Sequence, residues 1–190
     1  MTAPREIIDF WFGAPGSAER GQEREFWFTK SQATDELIRV RFGADVEAAL
    51  RGERDAWAQT TDGACALILL LDQFTRNIFR DTPRAFAGDA RALDLARRLV
   101  AAGADRGLAP LQRSFVYLPF EHAESIETQR ESLRLFGDLA ADGYADGLVW
   151  ARKHYDVIAR FGRFPHRNRI LGRASTAEEL EYLAQPGAGF

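Results

Sequence analysis

The 190-residue sequence has one cysteine, no glycine-rich phosphate loop, no apolar run long enough to cross a bilayer, and no stretch in which β-branched and polar residues alternate. Each absence excludes something. Cys65 cannot close an intramolecular disulfide, and its place inside the apolar run Ala64 to Leu71 marks it as a buried, inert thiol. That run falls well short of the roughly 20 residues of a membrane-spanning helix. Arg5, Glu6 and Asp9 break up the apolar start of the chain, so it lacks the core of a signal peptide, and we expect a cytoplasmic protein with no membrane partner. With neither a dinucleotide fingerprint nor a nucleophile elbow, the common nucleotide-dependent and acyl-transfer chemistries have no support, and no cofactor is expected. Without alternation there is no sheet, so the fold class is all-α.

What is present is an ordinary balance for a globular chain, 46% hydrophobic and 28% charged, long enough for one well-buried core over residues 1–190 as a single domain. Ile7, Ile8, Trp11 and Phe12 mark one face of a first helix; Phe26, Trp27 and Phe28 add an aromatic cluster; Leu37, Ile38, Arg41, Phe42, Val46, Ala49 and Leu50 carry the helical period on to Gly52. Ala64 to Leu71 is apolar on every side, as a helix surrounded by others must be, with Asp62 as its expected cap. Thr82-Pro83 predicts another helix start, and Ser175 with Glu178 a capping box. Laying Ala90 to Leu108 on Arg130 to Leu148 matches seven of nineteen positions, the glycine pairs 103/143 and 107/147 among them. The repeated unit is a helix ended by glycine, a turn and a second helix, so we expect irregular tetratricopeptide-like stacked hairpins.

Three segments concentrate polar chemistry. In the first, Leu71 to Arg80, Asp72, Arg76 and Arg80 stand four apart, flanked by Gln73 and Asn77. The second is Tyr117 to Ser125, where Glu121, His122 and Glu124 follow an apolar helix and Ser125 is placed to cap the next one. In the third, Trp150 to Arg173, seven basic residues face one acid, giving +6 in a chain whose net charge is −3. It includes His154, Arg160, Arg163, His166, Arg167 and Asn168, with Phe161 and Phe164 anchoring the guanidinium groups near low-dielectric protein, where positive charge needs a partner. No two histidines have the i,i+4 spacing of helical zinc ligands and arginine surrounds them, so no metal site is expected. The interleaved Arg and Phe also suit nucleic acid, but the acidic remainder of the chain sets that aside.

The strings Leu71 to Arg80 (LDQFTRNIFR), Phe115 to Glu124 (FVYLPFEHAE) and Arg160 to Arg173 (RFGRFPHRNRILGR) resemble the bacterial family catalogued as domain of unknown function 924, from Ile8 through the C-terminal capping box. The resemblance implies a tetratricopeptide-like all-α fold and implies no activity. The sequence departs from the family pattern at Thr75, where proline is usual, and at Glu121, where a small or apolar residue is usual; Glu124 is therefore the preferred acid. The leading expectation is that the three segments converge on a pocket. Asp72, Gln73, Arg76, Asn77, Arg80, His154, Arg160, Arg163, Arg167 and Asn168 would bind a small anionic ligand or a peptide carboxylate. The alternatives are an enzyme with His122 or His166 as general acid or base and Glu124 as its orienter, and an interaction scaffold with a structural ionic core.

Overall fold

The computed structural model describes residues 2–189, and among them there is no strand. The α-helices are α1 (Pro4–Phe12), α2 (Gln32–Leu50), α3 (Thr61–Ile68), α4 (Thr75–Ile78), α5 (Asp89–Ala101), α6 (Pro110–Glu121), α7 (Ile126–Ala141), α8 (Asp146–Phe161) and α9 (Ala177–Leu183). A π-helical segment, Leu69–Phe74, joins α3 to α4 into one continuous rod.

That rod is the centre of the molecule. Every residue from Ala64 to Phe74 is buried, and α1, α2, α5 and α6 all pack on it. The aromatic residues at the start of the chain close one end of the core: Trp11, Phe12 and Trp27 surround Phe115, with the Trp27 and Phe115 centroids 4.8 Å apart, and the Trp27 indole donates to the Trp11 carbonyl at 3.1 Å. Edge-to-face packing of this kind adds about 0.5–1.5 kcal/mol per pair beyond the area buried. Cys65 is fully enclosed, and burial pushes its thiol up to about 12.

The forty-residue repeat corresponds to two consecutive hairpins, α5–α6 and α7–α8. The first helix of each ends in a left-handed glycine, Gly103 (φ 65°) or Gly143 (φ 98°), a conformation closed to most side chains. Successive helices from α5 to α8 pack as neighbours, an arrangement compatible with a tetratricopeptide-like stack. Gly147 serves packing: a Cβ there would lie 2.6 Å from the Phe136 ring, so glycine lets α8 close on α7.

Several local expectations shift by a residue or a turn. Thr60, not Asp62, caps α3, its hydroxyl accepting from the Gly63 amide at 3.1 Å, while a Cβ on Gly63 would meet the Trp57 carbonyl oxygen at 2.0 Å. The C-terminal capping box uses Thr176 and Glu179 rather than Ser175 and Glu178; the sequence satisfies the pattern in both registers. Thr82-Pro83 opens only the 3-10 turn Pro83–Phe86, because the Thr82 hydroxyl donates back to the Phe79 carbonyl, and α5 begins later at Asp89. Leu37 is half exposed rather than part of the α2 core face. Ser125 caps α7 as expected.

Candidate functional site

The π segment determines where the first polar stripe points. A π turn holds more residues than an α turn, so side chains beyond it are rotated from straight α-helical register. Asp72, inside the segment and fully buried, receives the Gln73 amide at 2.5 Å, lies 3.2 Å from Arg76 Nη1, and meets His122 Nδ1 at 2.7 Å. Arg76 then makes a bidentate pair with Asp89 at 2.8 and 3.0 Å. Asp89 can come so near because the residue before it is glycine: a Cβ on Gly88 would lie 2.1 Å from the Leu71 carbonyl oxygen. Asn77 and Arg80 turn elsewhere, both bonding Asp35 on α2 at 2.6–2.8 Å.

The second segment sits at the α6–α7 turn, which Gln129 fixes by donating to the carbonyls of Glu121 (2.6 Å) and Ala123 (2.9 Å). The acid bonded to His122 is Asp72. Glu124 instead binds Arg173 through both oxygens, at 2.6 and 2.9 Å, and accepts the Phe164 amide at 2.8 Å, so it ties the third segment to this turn. In that segment Arg167 is buried, its guanidinium 4.5 Å from the Phe164 centroid and 4.7 Å from that of Phe86. The carboxylate it reaches is Asp89, at 3.6 Å, outside hydrogen-bond range, and its buried Nε has no partner among the described residues.

A cavity of about 220 Å³ lies between these groups. Ala90, Leu93, Pro119 and Ala123 form its apolar walls, and Asp89, His122, Glu124 and Arg167 its polar ones. The remaining candidates lie off the lining. Arg160 pairs with Glu178 on the surface, Arg163 binds Glu179 at 2.6 and 2.8 Å, and Asn168 bonds Ser175 and Glu179. His154 packs behind the cavity, 6.1 Å from the His122 ring, with Nδ1 2.9 Å from the Trp150 carbonyl and 3.0 Å from Glu121. His166 stacks beside Phe164, 5.6 Å between centroids.

The electrostatics follow from burial. Burial alone would raise the Asp72 carboxyl, but Arg76 and His122 outweigh it and hold the group far below the usual carboxylate range. His122 is lowered by burial against the pull of Asp72. Burial also lowers His154 to about 3 and His166 to about 4, with His122 repelling the first and Arg167 the second. Glu121 is raised to about 8, by burial and then by Asp72. Arg167 falls to about 10 through burial and the nearby Arg76. Around the cavity three acids (Asp72, Asp89, Glu124) balance three arginines (Arg76, Arg167, Arg173). Among the described residues no group of three His, Cys, Asp or Glu is placed to hold a metal ion.

The family model described as bacterial protein of unknown function (DUF924) matches residues 7–187. The chain belongs to this family. Its fold is similar to the solved structure of a protein of unknown function from Agrobacterium tumefaciens, at 40% identity and a TM-score of 0.83, over 95% of this chain and 96% of that one. No curated protein matches the sequence. No helix among the described residues is long and apolar enough to cross a membrane. Within this family member, sequence reasoning missed Asp89, Arg173, Asp35 and Glu179. The surplus of basic residues in the third segment signalled that acids must exist elsewhere, but nothing in the sequence distinguished these four from the chain's other acids and arginines.

Proposed function

We propose that the cavity binds a small molecule carrying an anionic or strongly accepting oxygen, with Arg167 as the recognising group. The observation that carries this is the state of Arg167, a buried cation whose acid contact is only 3.6 Å and whose Nε lacks a partner. A buried guanidinium with unused donors gains most from an incoming oxygen acceptor, since charge-assisted bonds are the strong ones. Size favours a compact ligand: about 220 Å³ falls below the roughly 300–1,000 Å³ of pockets that enclose drug-sized molecules, so a carboxylate of a few carbons suits it better than a peptide segment. Arg76, Arg80, Arg163 and Arg173 already have two-bond carboxylate partners, which supports a structural ionic core as their own role.

The test is a thermal-shift series with two- to six-carbon carboxylates and with phosphate, on the unmodified protein, on Arg167→Gln and on the surface control Arg134→Gln. A ligand present at a hundred times its Kd adds about 2.7 kcal/mol to stability. We expect that gain for at least one carboxylate, absent in Arg167→Gln and retained in Arg134→Gln. Equal gains in both variants, or none with any compound, refute the reading.

A further inference from the structure

We propose that the same cavity catalyses proton transfer from the carbon beside a carbonyl group in a small oxo acid, with His122 as general base, Asp72 as the residue that positions it, and Arg167 stabilising the negative charge that forms on oxygen. This rests on the binding reading above and goes beyond it to a reaction.

The geometry singles out one atom. Asp72 Oδ1 holds His122 Nδ1 at 2.7 Å, and Asp72 is itself fixed by Gln73 and Arg76, so it is a permanent acceptor that places the ring proton on Nδ1. Nε2 is then the unprotonated nitrogen. It makes no hydrogen bond among the described residues, and the ring keeps 15% of its side-chain surface accessible where it lines the cavity. The other lining acids are engaged, Asp89 by Arg76 and Glu124 by Arg173 and the Phe164 amide. Among the described residues no serine, threonine, cysteine or lysine lines the cavity, so no described side chain there could carry an acyl or Schiff-base intermediate. A base, a cationic donor and apolar walls for a short carbon skeleton suit one reaction. The carbonyl oxygen accepts from Arg167, the C–H bond breaks, its proton goes to Nε2, and the electron pair moves onto oxygen as an enolate. Return of a proton from the imidazolium restores the substrate or its tautomer, with nothing oxidised or reduced.

Because this step exchanges hydrogen, it can be seen without knowing the natural substrate. Pyruvate, 2-oxobutanoate and 4-oxopentanoate in deuterium oxide would be followed by proton NMR for loss of the α-hydrogen signal, with the whole protein and with His122→Gln, Arg167→Gln and Arg134→Gln. We expect exchange above the buffer rate for at least one compound that also shifts the melting temperature. It should drop about 100- to 10,000-fold in His122→Gln with that shift retained, and be unchanged in Arg134→Gln. Binding without exchange overturns this inference and leaves the binding reading standing, whereas no binding overturns both. Hydrolysis of 4-nitrophenyl acetate that depends on His122, without exchange, overturns the assigned reaction.

The positioning role of Asp72 has its own readouts. The charged and titratable groups around His122 are Asp72, Arg76, Asp89, Glu121, Glu124, His154, His166 and Arg167. Asp72→Asn removes the one carboxylate bonded to the ring, so the alkaline-rising limb of the exchange rate should move to lower pH, which a merely structural loss would not cause. Nitrogen-15 NMR of the unmodified protein covers the case in which that variant does not fold. The inference requires the Nδ1–H tautomer at His122 at neutral pH, and the Nε2–H tautomer overturns it.

Discussion

Glu121 sits where the surrounding protein rejects a charge, and replacing it with glutamine should show how much stability that mismatch removes. The residue is 2% exposed, one carboxyl oxygen lies 3.0 Å from His154 Nδ1, and the other has no partner among the described residues. Its carboxyl is pushed up to about 8, whereas in the unfolded chain it titrates near 4.5. The folded state therefore keeps a proton that the unfolded state releases, and this group's contribution to stability is lost as pH rises through the interval between those values. One unit of pH corresponds to about 1.4 kcal/mol while the difference is one full proton. Between pH 6.5 and 8, allowing for partial ionisation in the fold near the upper end, Glu121 should remove about 1.5–2 kcal/mol that Glu121→Gln retains. At roughly 2–4 °C per kcal/mol for a domain of this size, the melting temperature of the variant should rise by about 3–8 °C relative to the unmodified protein across that interval. The histidines move the other way: His122, His154 and His166 are all held neutral in the fold, so stability falls as pH drops below about 6.5. That term is common to both proteins and cancels in the difference. Calorimetry at half-unit pH steps checks the prediction, and a constant gap between the two proteins from pH 6.5 to 8 would refute it.

Gly88→Ala should cost at least about 2–3 kcal/mol in a urea melt and should weaken carboxylate binding, because the added carbon cannot fit against the Leu71 carbonyl without pushing Asp89 away from Arg76. Arg76→Met should destabilise by about 3–5 kcal/mol, since it strands Asp72 and Asp89 near one another without their shared cation; adding Asp72→Asn should recover part of that loss. A double-mutant cycle on Glu124→Gln and Arg173→Gln should give a coupling of about 1 kcal/mol, modest because both side chains remain a quarter exposed, and a value near zero would mean the pair does not clamp the third segment.

The elements themselves were legible in the sequence because hydrophobic period and glycine exits are local signals. Ile7, Ile8, Trp11 and Phe12 form a buried face, and the forty-residue offset marks two real hairpins. Helix starts were less legible, since serine, threonine and aspartate at adjacent positions all satisfy a capping pattern, and only backbone geometry chooses Thr60 over Asp62 or Thr176 over Ser175. Part of the candidate site was visible as charge: Asp72, Arg76, His122 and Arg167 were all picked out, and the fold places them near one another. The partners could not be read. Spacing placed Asp72, Arg76 and Arg80 on one face, yet Arg80 bonds Asp35, 45 residues earlier in the chain, and no periodicity encodes a π turn. Glu124 was the preferred partner for His122 because Glu121 departs from the family pattern, but at this helix exit Glu124 turns to Arg173, and the acid bonded to His122 lies 50 residues distant.

The π turn at Leu69–Phe74 also bears on how this protein can change length. A π turn is equivalent to an α-helix carrying one residue more than its period allows. Removing a single residue from Leu69 to Leu71 would restore regular α-helical geometry, rotate everything beyond it by about 100° and shorten the rod by about 1.5 Å. Arg76 would leave Asp89, Arg80 would leave Asp35, and Asp72 would lose its register with His122, although every side chain of the polar cluster would still be present. Connections dominated by exposed residues, such as residues 14–23, can absorb insertions and deletions, but this helix cannot, and its residue count is as strict a requirement for the candidate site as the identity of any acid or arginine in it.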